Sequence, residues 1–315
     1  MFSSTNFWMC FAGLVYLVAG VVVARKELSA ARSWDKLISL GCVFIATSLA
    51  MFAAEHLVGA HFVMNAVPSW MPGRLFWAYF VGFAHIAAAT SLTTQKFVRS
   101  SSTLLGVMFL LFVLMIHVPN VAAHPKDRIL WAGALRDLAF SGVAWALAGK
   151  LTQKSSPQKA KVMILFGRMV VAIAVIFFAA EHFLHPEFAP GVPLPKMTPT
   201  WIPLRPAWGY LTGAILLGSG IGLVINKHSR IAATSIGILM TLLTLFLYLP
   251  ILILARDGSA PQITEAINYV ADTLLFAGMA LALASALPEE PGSVSYTAPA
   301  TSQLTRVRDA SDKAH

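Results

Sequence analysis

Charge is what this sequence has least of. Asp, Glu, Lys and Arg together make up 12% of the 315 residues, about half of what a globular domain carries. Hydrophobic residues make up 57%, which places the chain in the membrane class. Cysteine is nearly missing as well. Cys10 and Cys42 both fall inside apolar runs and have no C-x-x-C partner. That argues against a disulfide framework or a thiol-redox centre, and the two thiols read as small apolar fillers. There is no H-E-x-x-H and no Cys/His cluster, so no metal site is expected. His182 and His185 stand three apart, but their first-copy counterparts His56 and His61 stand five apart, which breaks a shared ligand geometry. A haem held by two histidines is not expected either, because His85 has no partner of its kind in the second copy described below.

What is present is length of apolar sequence. Nine runs, at about 7–24, 37–54, 75–95, 102–118, 129–149, 162–181, 207–225, 231–254 and 264–286, approach the roughly 20 residues that a helix needs to cross a bilayer. Continuous runs of this kind mean helices, since a lipid-exposed backbone must satisfy its own hydrogen bonds. The predicted fold is therefore an all-α, polytopic transmembrane protein with about nine spans. Residues 1–6 carry no charged side chain and Arg25-Lys26 follow the first run, the charge order of an uncleaved anchor with its N-terminus outside. With that orientation fifteen Lys and Arg residues fall in inner segments and six in outer ones, as the positive-inside rule requires. The net charge of +9 is then topology and attraction to anionic lipid, and no nucleic-acid partner is inferred.

The chain also contains one segment twice. Phe52-Ala53-Ala54-Glu55-His56 returns as Phe178-Ala179-Ala180-Glu181-His182, an offset of 126. Downstream, Trp70, Pro72, Arg74, Trp77 and Tyr79 return as Trp201, Pro203, Arg205, Trp208 and Tyr210, an offset of 131. Gly82, Lys96, Arg99 and Pro119 keep that second offset with Gly213, Lys227, Arg230 and Pro250. The second copy thus has five extra loop residues. Self-similarity of this kind marks a tandem duplication. It divides the chain into an N-terminal helix and inner loop (1–36), a four-helix repeat (37–149), a polar basic linker (150–161), a second four-helix repeat (162–286) and a tail (287–315) expected to be disordered. Four crossings per repeat give both copies one orientation, so the repeats are expected to be parallel. The repeat-two loop, 186–206, holds seven prolines and reads as a stiff outer cap. Gly209/Gly213 and Gly218/Gly222 have the spacing that lets helices approach closely.

Ionisable residues within spans cost about 2.5–3.5 kcal/mol each on insertion scales, so they are the candidate site residues. Glu55, His56, Asp137, Glu181, His182 and Asp272 are candidates for proton transfer or a polar pocket, with Arg136, His117 and Asn268 nearby in the pattern. A buried Glu beside a His suits a proton relay. It equally suits a structural pair, with the Glu on a buried Arg such as Arg136 or on loop backbone. Trp70, Arg74, Trp77, His85, Trp201, Arg205 and Trp208 are candidate ligand or interface contacts: Trp belongs at the headgroup level, and Arg can reach a phosphate or the preceding Glu. Leu216 stands where His85 stands in the first copy, so the two copies need not share one site.

A helix ending in Glu-His, a short loop, Trp-x-Pro and an apolar helix with Trp-x-Tyr and Gly resembles the DoxX-like family of four-helix membrane proteins. Here the unit is repeated in tandem over roughly 37–286. The resemblance implies a prokaryotic plasma (inner) membrane protein near quinone chemistry. It implies an accessory subunit, dependent on a redox partner for electrons, more readily than a self-sufficient enzyme. A quinone or similar amphipathic molecule is then the expected ligand, and no cofactor is fixed by the residues themselves. Two other readings stand beside it: a small-molecule or proton-coupled transporter, and a structural, lipid-organising protein.

Overall fold

The computed structural model describes residues 3–289. The tail expected from 287 onward lies outside the described residues, except for 287–289. Nine long helices account for the nine apolar runs: α1 Ser4–Ala30, α2 Gly41–Val58, α3 Arg74–Thr94, α4 Val98–Ala123, α5 Arg128–Thr152, α6 Pro157–Leu184, α7 Arg205–Ile225, α8 Ser229–Ala255 and α9 Ala260–Ala286. Eight of them are long and apolar enough to cross a membrane. The exception is α5, which is as long but carries Arg136 and Asp137 among small residues. Among the described residues the only β pairing is a single bridge, Phe188 with Met197. The chain is an all-α polytopic membrane protein.

Helix starts follow ordinary capping chemistry. Ser3 accepts from the Asn6 amide at the head of α1, and Asp127 accepts from Ile129 and Leu130 at the head of α5. Ser259 and Gln262 cap α9 reciprocally. Two ends differ from the sequence expectation. Helix α1 runs through Arg25-Lys26 to Ala30 and so takes up about half of the inner loop expected at 24–36, and a short helix at Asp35–Ser39 begins at its end. Helices α5 and α6 close in on the expected linker, leaving only 153–156 between them, because Pro157 is well placed in a first helical turn.

Each helix from α2 to α9 packs against the next, and α9 closes on α2, so the eight form a ring with α5 touching α9 across it. Helix α1 lies outside, mainly against α2. The two seams between repeats are each built on a glycine pair. A Cβ on Gly167 would lie 2.4 Å from the Gly142 carbonyl oxygen, and one on Gly278 would lie 2.8 Å from that of Gly41. No side chain fits at either crossing. Of the spacings flagged in the sequence, Gly209 and Gly213 do sit against Pro186 and Ala179. Gly218 does not: a Cβ there would meet nothing within 4 Å, so it faces away from its neighbours and is no contact residue.

The repeat recurs in detail. Helices α4 and α8 each contain a π turn, Val113–His117 and Thr244–Tyr248, 131 residues apart. Pro119 and Pro250 follow them; a proline within a helix lacks the N–H and crowds the carbonyl four residues back, so the ladder widens. These helices therefore continue to Ala123 and Ala255, and His117 lies within a helix rather than at its end. Trp77 Nε1 donates to the Pro72 carbonyl at 3.0 Å, and Trp208 Nε1 to that of Pro203 at 3.1 Å. An aromatic row, Phe109–Phe140–Phe276–Phe178, crosses the centre with centroid spacings of 5.3, 5.7 and 5.7 Å.

Candidate functional site

The polar residues of the first repeat surround a cavity of about 580 Å³, within the range of small-molecule sites. Its wall comes from α2 (Phe52, Glu55, His56), the following loop (Phe62, Val67, Met71), α3 (Trp77, Phe80, His85), α4 (Met108, Phe109, Phe112, Met115) and α5 (Arg136, Asp137, Phe140). Helix α9 completes it with Asn268, Asp272 and Leu275, one face of a helix at spacings of four and three. Phe62, Phe80 and Leu111 line the cavity yet are 72%, 50% and 45% exposed. The cavity therefore reaches the flank of the bundle between α3 and α4, where lipid would lie.

One side of this apolar chamber is ionic. Arg136 donates from Nε to Asp137 Oδ1 and from Nη1 to Asp272 Oδ2, both at 2.9 Å, and so ties α5 to α9. His117, delivered by the α4 π turn, bonds Asp137 Oδ2 through Nε2 at 2.8 Å. Glu55 does not reach Arg136, the partner considered for it from the sequence. Its Oε1 accepts from Asn268 Nδ2 at 3.0 Å, and this neutral amide is its only side-chain partner among the described residues. His56 donates from Nδ1 to the Phe52 carbonyl at 2.8 Å, which leaves Nε2 as an acceptor. Its ring stands edge-on to His85, centroids 5.3 Å apart. His85 is 3% exposed, and neither ring nitrogen has a hydrogen-bond partner. The amide oxygen of Asn268 is buried and unpartnered too. Buried polar groups are normally satisfied, so these mark a place where something else bonds.

In the second copy the corresponding space is occupied among the described residues. The five extra residues let the α6–α7 loop fold inward, and 189–193 are buried. Gly191, at φ +125°, turns its N–H to His182 Nε2 at 2.9 Å, and Tyr248 donates to the Pro190 carbonyl at 2.8 Å. A Cβ on Gly191 would already touch Leu243 and Tyr248, the counterparts of Phe112 and His117. Within the loop expected as an outer cap, 189–193 thus enters the bundle as a plug, while 200, 201 and 203–206 stay exposed. Leu216, at the His85 position, is fully buried.

Six of the sequence candidates thus converge on one cavity: Glu55, His56, Trp77, His85, Asp137 and Asp272. The others do not. Arg74 does not line the cavity; its Nε donates to the Met64 and Val67 carbonyls at 3.1 and 3.0 Å and fastens the loop. Trp70 is 66% exposed and also stands outside the wall. Glu181 pairs with Arg128 at 2.8 Å, His182 is spent on the plug, and Trp201, Arg205 and Trp208 are exposed. Sequence reasoning passed over the aromatic and Met wall, whose α4 members lie at helical spacing (108, 109, 112 and 115), and the assignment of Asn268 as the partner of Glu55. Among the described residues no group of three His, Cys, Asp or Glu is placed to hold a metal ion.

Compared with protein-family models, curated proteins and solved structures, the chain matches none.

Proposed function

We propose that this protein binds an amphipathic small molecule that reaches the first-repeat cavity sideways from the membrane. The observation that carries the reading is the combination of an aromatic chamber open at the bundle flank with a polar wall whose His85 ring nitrogens and Asn268 amide oxygen lack hydrogen-bond partners. Apolar lining with a few convergent polar groups is how small-molecule sites are built. A quinone is the molecule suggested by the DoxX-like resemblance, with Glu55 and His56 exchanging protons and a partner subunit taking the electrons. On this reading the protein is an accessory membrane subunit. We place its N-terminus outside on the charge bias, which puts Glu55, near the end of α2, towards the outer leaflet. A transporter is the second reading, favoured by the π turn in α4, which supplies Met115 and Ile116 to the cavity wall and gives that helix a joint.

The test is to purify the protein in mild detergent, extract it with solvent and identify what co-purifies by mass spectrometry, alongside a redox difference spectrum. A near-stoichiometric amphiphile that is lost from Trp77→Ala and retained by Trp208→Ala supports the reading. Bulk lipid alone, identical in all three proteins, would favour a purely structural role.

A further inference from the structure

Several unpaired polar atoms of the cavity are acceptors that stand close to Glu55. Glu55 Oε2 and Asp272 Oδ1 have no hydrogen-bond partner among the described residues, since each carboxylate is engaged through its other oxygen only. Asn268 Oδ1 is buried and unpartnered, and the bond from His56 Nδ1 to Phe52 leaves Nε2 as a lone pair. The donors are one N–H of His85, the Asn65 amide and the remaining N–H groups of Arg136, whose fork is already divided between two carboxylates. The charges are unbalanced in the same direction. Glu55, Asp137 and Asp272 face a single guanidinium, and even a protonated His117 on Asp137 leaves the cluster negative. Glu55 is 7% exposed with no cation on it, and an uncompensated buried carboxylate is costly. Aromatic side chains, including Phe52, Trp77, Phe80 and Phe109, also line the cavity, and aromatic rings attract cations through their π quadrupoles.

Resting on the reading of the cavity as a small-molecule site, we propose that the polar end of its ligand is a cationic nitrogen, a lipophilic amine carried as its ammonium, with Glu55 as counter-ion and His56 and Asn268 as further acceptors. The ammonium supplies donors to the acceptors around Glu55 and the charge that Glu55 lacks, and its apolar body fills the aromatic chamber. A quinone, whose carbonyl oxygens only accept, could bond the N–H groups of His85 and Arg136 but would leave Glu55 without a counter-ion.

The test uses the full chain in a non-ionic detergent and three probes of similar size: para-butylbenzylamine, para-butylbenzyl alcohol and a butyl-substituted benzoquinone. Binding is measured by isothermal titration calorimetry. The amine is expected to bind about tenfold or more tightly than the alcohol, the worth of one charge-assisted contact. Glu55→Gln is expected to abolish that preference while still binding the alcohol, and Glu181→Gln, outside the cavity, to keep it. Equal affinity of amine and alcohol for the unaltered protein overturns the assignment of a cation. So does a benzoquinone that outbinds the amine. If none of the three binds, the small-molecule reading of the cavity fails, and this inference fails with it. Should Glu55→Gln not fold, the ranking on the unaltered protein decides.

Discussion

Among the described residues Arg136 is the only Lys or Arg on the ionic wall, and its removal should be felt far beyond the loss of one contact. In Arg136→Met, which roughly keeps the length of the side chain, Asp137 and Asp272 would face one another without their shared guanidinium. Breaking a fully buried ion pair by deleting one partner costs about 3–5 kcal/mol. Here Arg136 and Asp272 are 23% and 22% exposed, while Asp137 is 8% exposed. Some of that cost is relieved through the cavity, and about 2–4 kcal/mol is expected. At roughly 2–4 °C per kcal/mol for a chain somewhat smaller than this one, the melting midpoint should fall by about 4–16 °C. Asp272→Asn should behave differently, because the cluster has carboxylates in excess. Arg136 would keep Asp137 and an amide oxygen to bond, so the cost should stay near or below about 1 kcal/mol. Combining the two changes should cost less than the sum of the singles by about 1 kcal/mol or more, since they share one network. The assay is a melt followed by far-ultraviolet circular dichroism in a single detergent at neutral pH. An Asp272→Asn protein less stable than Arg136→Met would show that the carboxylates are not the surplus charge, and the electrostatic account of the cavity would fall.

Two further outcomes are expected. Gly142→Val should destabilise by about 3 kcal/mol or more, since even a Cβ there would lie 2.2 Å from Val170 and 3.0 Å from Gly167. Gly218→Ala, in open space, should stabilise α7 by up to about 1 kcal/mol; comparable melting of the two variants would refute the glycine-seam account. Tyr248→Phe strands the buried Pro190 carbonyl at a cost of about 1–3 kcal/mol. It should make the 186–206 loop the first point of protease cleavage, and an unchanged digestion pattern would show that the plug does not depend on this bond.

Much of the fold was legible because the membrane imposes simple demands. Nine apolar runs became nine helices, and the matched pairs at offset 131 became matched geometry down to the Trp77 and Trp208 indole bonds. The ionic wall was half legible. A charge in an apolar run is expensive wherever it sits, so Glu55, Asp137 and Asp272 stood out. Their partners did not, because Asn268 meets Glu55 across 213 residues of sequence, through a helix order that periodicity cannot give. The plug was the largest surprise. Seven prolines read as an exposed stiff loop, and nothing in composition says that Gly191 turns the chain inward to His182. The Trp-x-Pro motif read as an interface or ligand contact and divides for a related reason: Trp70 is exposed, Arg74 fastens loop carbonyls, and only Trp77 reaches the cavity.

The chamber belongs to neither half of the duplication. Its aromatic wall is encoded before residue 150, but the amide that holds Glu55 and the carboxylate that completes the Arg136 fork lie on α9, at the far end of the second half. A solitary four-helix unit would have to borrow these two groups from a neighbouring molecule. In this chain the neighbour is covalently attached, always present and always in register, so the second half is free to fill its own hollow with a loop and serve as the permanent back wall of the first.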